Sequence, residues 1–206
     1  MKILALELSS SRGSIAFRDD APESSVFEFA NDRKHSGAFF DTLKICTARC
    51  GMPERIVVGL GPGSYAGTRI AIAAAIGLQS AIRAELIGLA SARAFPLDSR
   101  EYAVVGDARR HSFYYARVRD RRCVEGPLLC SERELQARLA ASEIPAFSTG
   151  PLQQFSSVTT AFPSALLLAE IGVTEEPTSS DVPLEPIYLR EPHITQQKSS
   201  FSGTRR

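Results

Sequence analysis

The residues with types and spacing suited to chemistry gather in one string, Gly61-Pro62-Gly63-Ser64-Tyr65-Ala66-Gly67-Thr68-Arg69, set between an apolar run and a helical one. Glycines let a backbone approach a ligand closely, and the N–H groups that open a helix, with the positive end of its dipole, can receive an anion. The chemistry expected of this string is anion binding rather than bond breaking. It lacks the Gly-Lys-Ser/Thr ending of a Walker loop and the G-x-S-x-G spacing of a nucleophile elbow. A tight structural turn is the alternative use of the same glycines.

Metal and thiol chemistry have less support. Cys46 and Cys50 are spaced C-x3-C, and Cys123 and Cys130 C-x6-C; neither is the C-x2-C of a zinc knuckle or redox motif. Cys46 and Cys50 fall at i and i+4 on one helix, but no second ligand pair accompanies them, so four packing thiols in a reducing compartment are expected and no metal site. His35 precedes Ser36, a natural helix N-cap, and a structural role is expected of it. Residues 109–122 are rich in arginine: Arg109, Arg110, Arg117, Arg119, Arg121 and Arg122. Asp107, Asp120 and Glu125 offset part of that charge, and a solvated strand face is favoured over contact with RNA.

The elements that must position these residues follow from the hydrophobic period. Lys2–Leu8 and Gly13–Phe17 read as a hairpin and Ser25–Ala30 as a third strand. A helix over 35–50 stops at Gly51-Met52-Pro53. The strand Arg55–Leu60, the glycine-rich loop, the helix Thr68–Ile82 and the strand Glu85–Leu89 follow. The order then restarts with strands at Tyr102–Gly106, Ser112–Arg119 and Cys123–Leu129, a helix over Ser131–Ala141 with a Ser131/Glu134 capping box, a strand at Ala146–Thr149 and a helix over Pro163–Ile171. Two βββαβα lobes, an α/β architecture of mixed sheets flanked by helices, are expected over residues 1–99 and 100–194, with a disordered tail at 195–206.

Several motifs together resemble one family. They are KILALELSSSRGSIAF at the start, His35-Ser36, VVGLGPGSYAGTRIAIAAAIGL over residues 57–78, VVGDARRHSFYYARV, and Pro186-Ile187-Tyr188-Leu189-Arg190. This set resembles the TsaB (YeaZ) family of tRNA threonylcarbamoyladenosine biosynthesis, the non-peptidase glycoprotease-like branch of the actin/Hsp70/sugar-kinase superfamily. The resemblance implies a duplicated ribonuclease-H-like (actin-like ATPase) fold and a cytoplasmic scaffold without catalysis of its own. Its implied partners are a catalytic TsaD paralogue, the TsaE ATPase subunit through the complex, tRNA indirectly, or a second copy when the paralogue is absent; no membrane is implied. The paralogue's metal site uses an H-x3-H pair, which His35, His111 and His193 cannot form.

Where the family ends its first strand with an aspartate that, in the superfamily's kinases, helps hold a nucleotide's magnesium, this chain has Glu7. The anion or nucleotide candidates are Glu7, Ser9, Ser10, Gly61, Gly63, Ser64, Gly67 and Thr68. No cofactor is expected beyond weak ATP, ADP or magnesium at a subunit interface, and a carboxylate that caps nearby N–H groups is an equal reading of Glu7. The resemblance also assigns the first two helices a partner face, with Phe39, Leu43, Cys46, Ile70, Ala73, Ala74, Gly77 and Ala81 as its candidates. Asp107 and Arg109 are candidates for an ion pair between the lobes. An ATP-dependent phosphotransferase and a self-associating binding protein remain the rival functions.

The balance of 24 basic against 23 acidic residues, +1 in all, argues against a chain that grips a phosphate backbone itself. Residues 100–140 carry nine arginines against six acids and 141–191 one against seven, so the second half is polarised along its length. No run reaches the roughly 18–20 apolar residues of a membrane span.

Overall fold

The computed structural model describes residues 1–19, 24–31, 36–178 and 183–189. The first sheet holds β1 (Ile3–Glu7), β2 (Arg12–Arg18), β3 (Ser25–Ala30), β4 (Arg55–Gly59) and β5 (Glu85–Leu89) in the order β3-β2-β1-β4-β5. β1 runs antiparallel to β2 and parallel to β4, which is parallel to β5. Every residue of β1 and β4 is buried, as expected of central strands covered on both faces. On one face, Leu4, Leu6, Ile15, Phe17, Ile56 and Val58 pack under α1 (Gly37–Cys50) and α2 (Tyr65–Ile82).

The second sheet repeats this plan. Its strands are β6 (Glu101–Asp107), β7 (Ser112–Arg119), β8 (Arg122–Ser131), β9 (Ala146–Ser148) and β10 (Val158–Thr160), in the order β10-β9-β6-β7-β8. The hydrogen-bonding senses are again antiparallel for β6 with β7 and parallel for β6 with β9 and β9 with β10. The helix α3 (Glu132–Ala140) covers one face and starts at the expected capping box: Ser131 Oγ accepts the Glu134 N–H, and the Glu134 carboxylate accepts the Ser131 N–H at 2.7 Å.

The duplication therefore holds at the level of strand order, with one correction. The last helix, α4 (Ala165–Gly172), does not complete the second lobe. It lies on the remaining face of the first sheet, where Ala165, Leu168 and Ala169 pack against Ile3, Ala5, Ala16 and Val57. The helix is apolar almost all round and meets a mainly apolar sheet face, where Ser14 Oγ accepts the Ala165 N–H at 3.0 Å, while α3 already covers the second sheet. Gly172 makes the close approach possible, since a Cβ there would meet the side chain of Val57. Residues 183–189 also return to the first sheet: Leu184 packs on its core and the Ile187 N–H donates to Leu60 O at 2.8 Å. The unit expected at 100–194 thus gives α4 and this segment to its neighbour. The expectations for His35, His193 and the tail at 195–206 lie outside the described residues.

Candidate functional site

A cleft of about 950 Å³ opens between the two sheets. Its walls are Ser9–Ser11 after β1, residues 62–66 after β4, the β6–β7 turn at 106–109, residues 148–152 after β9 and residues 186–189. These are the carboxyl ends of parallel strands, where open α/β sheets present ligands to their loops.

The glycine-rich loop takes its shape from the strand beside it. A Cβ at Gly63 would overlap the carbonyl of Ser9, and one at Gly67 the carbonyl of Leu8. The loop is so close that its own N–H groups bond to protein: Ser64 N–H to Ser9 O at 2.6 Å, Gly61 N–H to Ser91 Oγ at 3.0 Å, Gly67 N–H to Ser64 Oγ and Thr68 N–H to Ser64 O. Ser64 is the N-cap of α2, so the helix starts at Tyr65, three residues before the predicted Thr68. Of the anion candidates, Ser9, Ser10, Gly63, Ser64 and Thr68 line the cleft; Glu7, Gly61 and Gly67 are buried outside its lining. The Ser10 hydroxyl is spent on Arg12 O at 2.8 Å, whereas the buried Ser9 Oγ has no partner.

Glu7 is wholly buried, and its Oε1 accepts the Ser9 N–H at 2.7 Å. In this position the carboxyl caps a backbone N–H. Burial raises its pKa above the usual carboxylate range, and the neighbouring Ser9 and Ser91 polar groups oppose that rise. A magnesium-bound nucleotide fits this donor set badly. Among the described residues, the charged ones that line the cleft are Asp107 and Arg109, whose side chains face each other at 3.8 Å, and no three His, Cys, Asp or Glu side chains converge as metal ligands would.

Asp107 and Arg109 do not join the lobes. Both are exposed, both belong to the β6–β7 turn, and the Arg109 N–H donates to Asp107 Oδ1 at 2.6 Å, so the aspartate holds its own turn. Arg109, Arg110 and His111 all have positive φ there. The lobes are tied instead by Arg93, whose Nε donates to Arg121 O at 2.5 Å and which pairs with Glu175, and by Arg121, which donates to Phe95 O. Arg121 stood in sequence as one arginine of a solvated stretch, and nothing in its local pattern sets it apart. Of its neighbours, Arg117 and Arg119 both pair with Glu101 across β6 and β7.

The helix candidates divide by face. Phe39, Leu43 and Cys46 are buried beneath α1 in the core, and burial pushes the Cys46 thiol up to about 12. They cannot belong to an outer face, because the stripe that repeats with helical period is the one the sheet consumes. Ile70 and Ala74 are half-buried against the same core. Ala73, Gly77 and Ala81 stand exposed on the outer side of α2 beside Ile76, while α1 exposes Phe40 and Ile45. At the α2 N-terminus, Arg69 stacks over Tyr65 at 4.4 Å and Tyr188 at 5.8 Å, and its Nε donates to the Tyr188 hydroxyl at 2.9 Å. Tyr188 belongs to the quoted Pro186–Arg190 motif, but its place against Arg69 carries no local signal.

The family model for TsaD, tRNA N6-adenosine threonylcarbamoyltransferase, matches residues 30–128. An uncharacterized Mycobacterium tuberculosis protein is 30% identical over 141 residues, 68% of this chain and 65% of that protein. A Mycobacterium leprae protein, also uncharacterized, is 29% identical over 140 residues, 68% of this chain and 38% of the relative. The chain thus spans less than two thirds of the length of either relative. Among solved structures, an uncharacterized protein with similarity to peptidase YeaZ from Pseudomonas aeruginosa superposes with a TM-score of 0.75 at 19% identity, over 92% of this chain and 99% of that one. YeaZ from Pseudomonas aeruginosa superposes with a TM-score of 0.66 at 16% identity, over 84% and 92% of the two chains. Among the described residues no helix is long and apolar enough to cross a membrane.

Proposed function

We propose that the chain is a TsaB-like protein of the actin-like ATPase superfamily and a cytoplasmic accessory subunit, without catalysis of its own, of tRNA threonylcarbamoyladenosine formation, a reading supported by the TsaD family match and the YeaZ-like fold. It docks the catalytic TsaD paralogue through the outer faces of α1 and α2 and supports that enzyme's activity; TsaE and tRNA join through the complex. A second copy takes the same face when the paralogue is absent. Weak ATP or ADP, where it binds, sits at the subunit interface.

One observation carries this reading. The outer side of α2 presents Ala73, Gly77 and Ala81 without cover, and a Cβ added to Gly77 would meet nothing within 4 Å. Small side chains let a second backbone approach closely, and Ile76, Phe40 and Ile45, at 41%, 49% and 46% exposure, supply apolar area beside them. The near-neutral charge suits a subunit that leaves the nucleic acid to its partner. The chain's three histidines offer no H-x3-H pair, in keeping with an accessory role.

The test is Ala73→Glu in the full chain. A glutamate there stays in solvent in the free subunit and is buried without a partner in the complex. The variant is expected to unfold at the wild-type temperature yet fail to co-purify with the co-expressed paralogue. Mass spectrometry of digested tRNA from cells that carry only the variant should then show reduced threonylcarbamoyladenosine. Normal co-purification of the folded variant defeats the proposed face, and unchanged tRNA modification after deletion of the whole gene defeats the function.

A further inference from the structure

The floor of the cleft holds a carboxyl that the cleft does not reach. Glu7 ends β1, where the family resemblance implies an aspartate that helps hold a nucleotide's magnesium, and its own arm is folded into the protein. A Cβ on Gly59 would overlap Glu7 Oε2 and would stand 2.7 Å from Ser91 Oγ, so the carboxyl sits in the space that this glycine leaves. Oε1 accepts the Ser9 N–H, while Oε2 is buried without a hydrogen-bond partner. The groups that face it from the packed elements are Ser9 after β1, Gly59 of β4 and Ser91 of the 3-10 turn Ser91–Ala94. None of them is charged.

A buried carboxylate calls for donors on both oxygens or a cation beside it. Here the Ser9 N–H serves Oε1, and the other polar groups beside the carboxyl are the neutral hydroxyls of Ser9 and Ser91. A neutral carboxylic acid needs less: Oε1 keeps its N–H, and Oε2 carries the proton. Ser9 and Ser91 also meet the glycine-rich loop, through Ser64 N–H to Ser9 O and Gly61 N–H to Ser91 Oγ. The carboxyl therefore stands where the loop is fastened to the sheet.

We propose that Glu7 is a neutral, proton-holding prop beneath the cleft, and that this chain's cleft consequently takes its ligand without a divalent cation. The sign of the pH effect follows from burial, which raises the folded-state pKa above the usual 4.5. The contribution to stability is complete below that value and is lost as pH rises through the folded-state pKa, because ionisation is easier in the unfolded chain. Glutamine keeps the shape and cannot ionise.

Thermal unfolding of the full chain and of Glu7→Gln, from about pH 5 to pH 9, is expected to show wild-type stability falling relative to the variant as pH rises. With ADP as the probe, any stabilisation of the wild-type chain should be equal in EDTA and in MgCl2. Infrared spectra of the wild-type chain in D2O should retain the C=O stretch of a protonated carboxylic acid at neutral pH. That third measurement stands even where the variant folds poorly. Parallel pH curves, a missing infrared band, or an ADP shift that requires magnesium and disappears in Glu7→Gln would each overturn the proposal.

Discussion

Gly63 and Gly67 illustrate what a residue type does and does not disclose. Their place in a glycine-rich string was legible, and so was the demand for close backbone approach. The partner in that approach is the end of β1, through the carbonyls of Ser9 and Leu8, rather than a ligand alone. Gly63→Ala must therefore push backbone against backbone, and such overlap is not relieved by a rotamer change. Loss of about 1–3 kcal/mol is expected by urea unfolding, whereas Gly77→Ala, inside α2 with open space around the added methyl, is the contrasting control and should gain about 0.5–1 kcal/mol. Glu7 was legible in the same partial way. The departure from aspartate was visible, but the direction of its carboxyl depends on Gly59 and Ser91, which lie 52 and 84 positions away along the sequence. No local pattern links positions so far apart.

At the scale of elements, periodicity located the helices and most strands within a few residues, because burial of one stripe or one face dictates that spacing. It did not say which body covers the stripe. Phe39, Leu43 and Cys46 show why: a regular apolar stripe is first the sheet's, and the face left for a partner is the irregular remainder. The destination of α4 was equally illegible, since its uniform apolarity fits either sheet. The structure fixes it with Arg55, a mostly buried cation at the start of β4. Its Nη1 donates to Gly172 O at 2.6 Å and to Val173 O and Glu175 O at 3.2 Å, and its Nε donates to Glu85 Oε2 at 2.7 Å. One guanidinium thus satisfies the carbonyls that the end of α4 leaves open. Arg55→Ala strips them of a donor in a place water reaches poorly, and a loss of about 2–4 kcal/mol is expected in chemical denaturation. Arg55→Lys should restore only part of it, because an ammonium cannot reproduce the planar fork.

For the whole molecule, the question is what holds two similar sheets at one separation. Their duplicated strand order was legible as a repeat of pattern, whereas their junction was not, because it is assembled from single residues distant in sequence: Arg93, Arg121, and the segment 183–189. That segment touches both halves within a few residues. Leu184 packs on the core under α2, Ile187 bonds to Leu60, Tyr188 lies on Arg69, and Leu189 packs against the second sheet's cluster around Tyr102 and Tyr114. With so short a span between its anchors, the segment acts as one tie rather than two independent contacts. Removing the anchor on the second sheet should then loosen the anchor on the first. In Leu189→Ala, hydrogen exchange followed by mass spectrometry is expected to rise at the Ile187 amide, whose acceptor lies in the first lobe, as well as in β6 and β7. An increase confined to β6 and β7 would mean that the two ends hold separately, and that the cleft wall at 186–189 belongs to the first lobe alone.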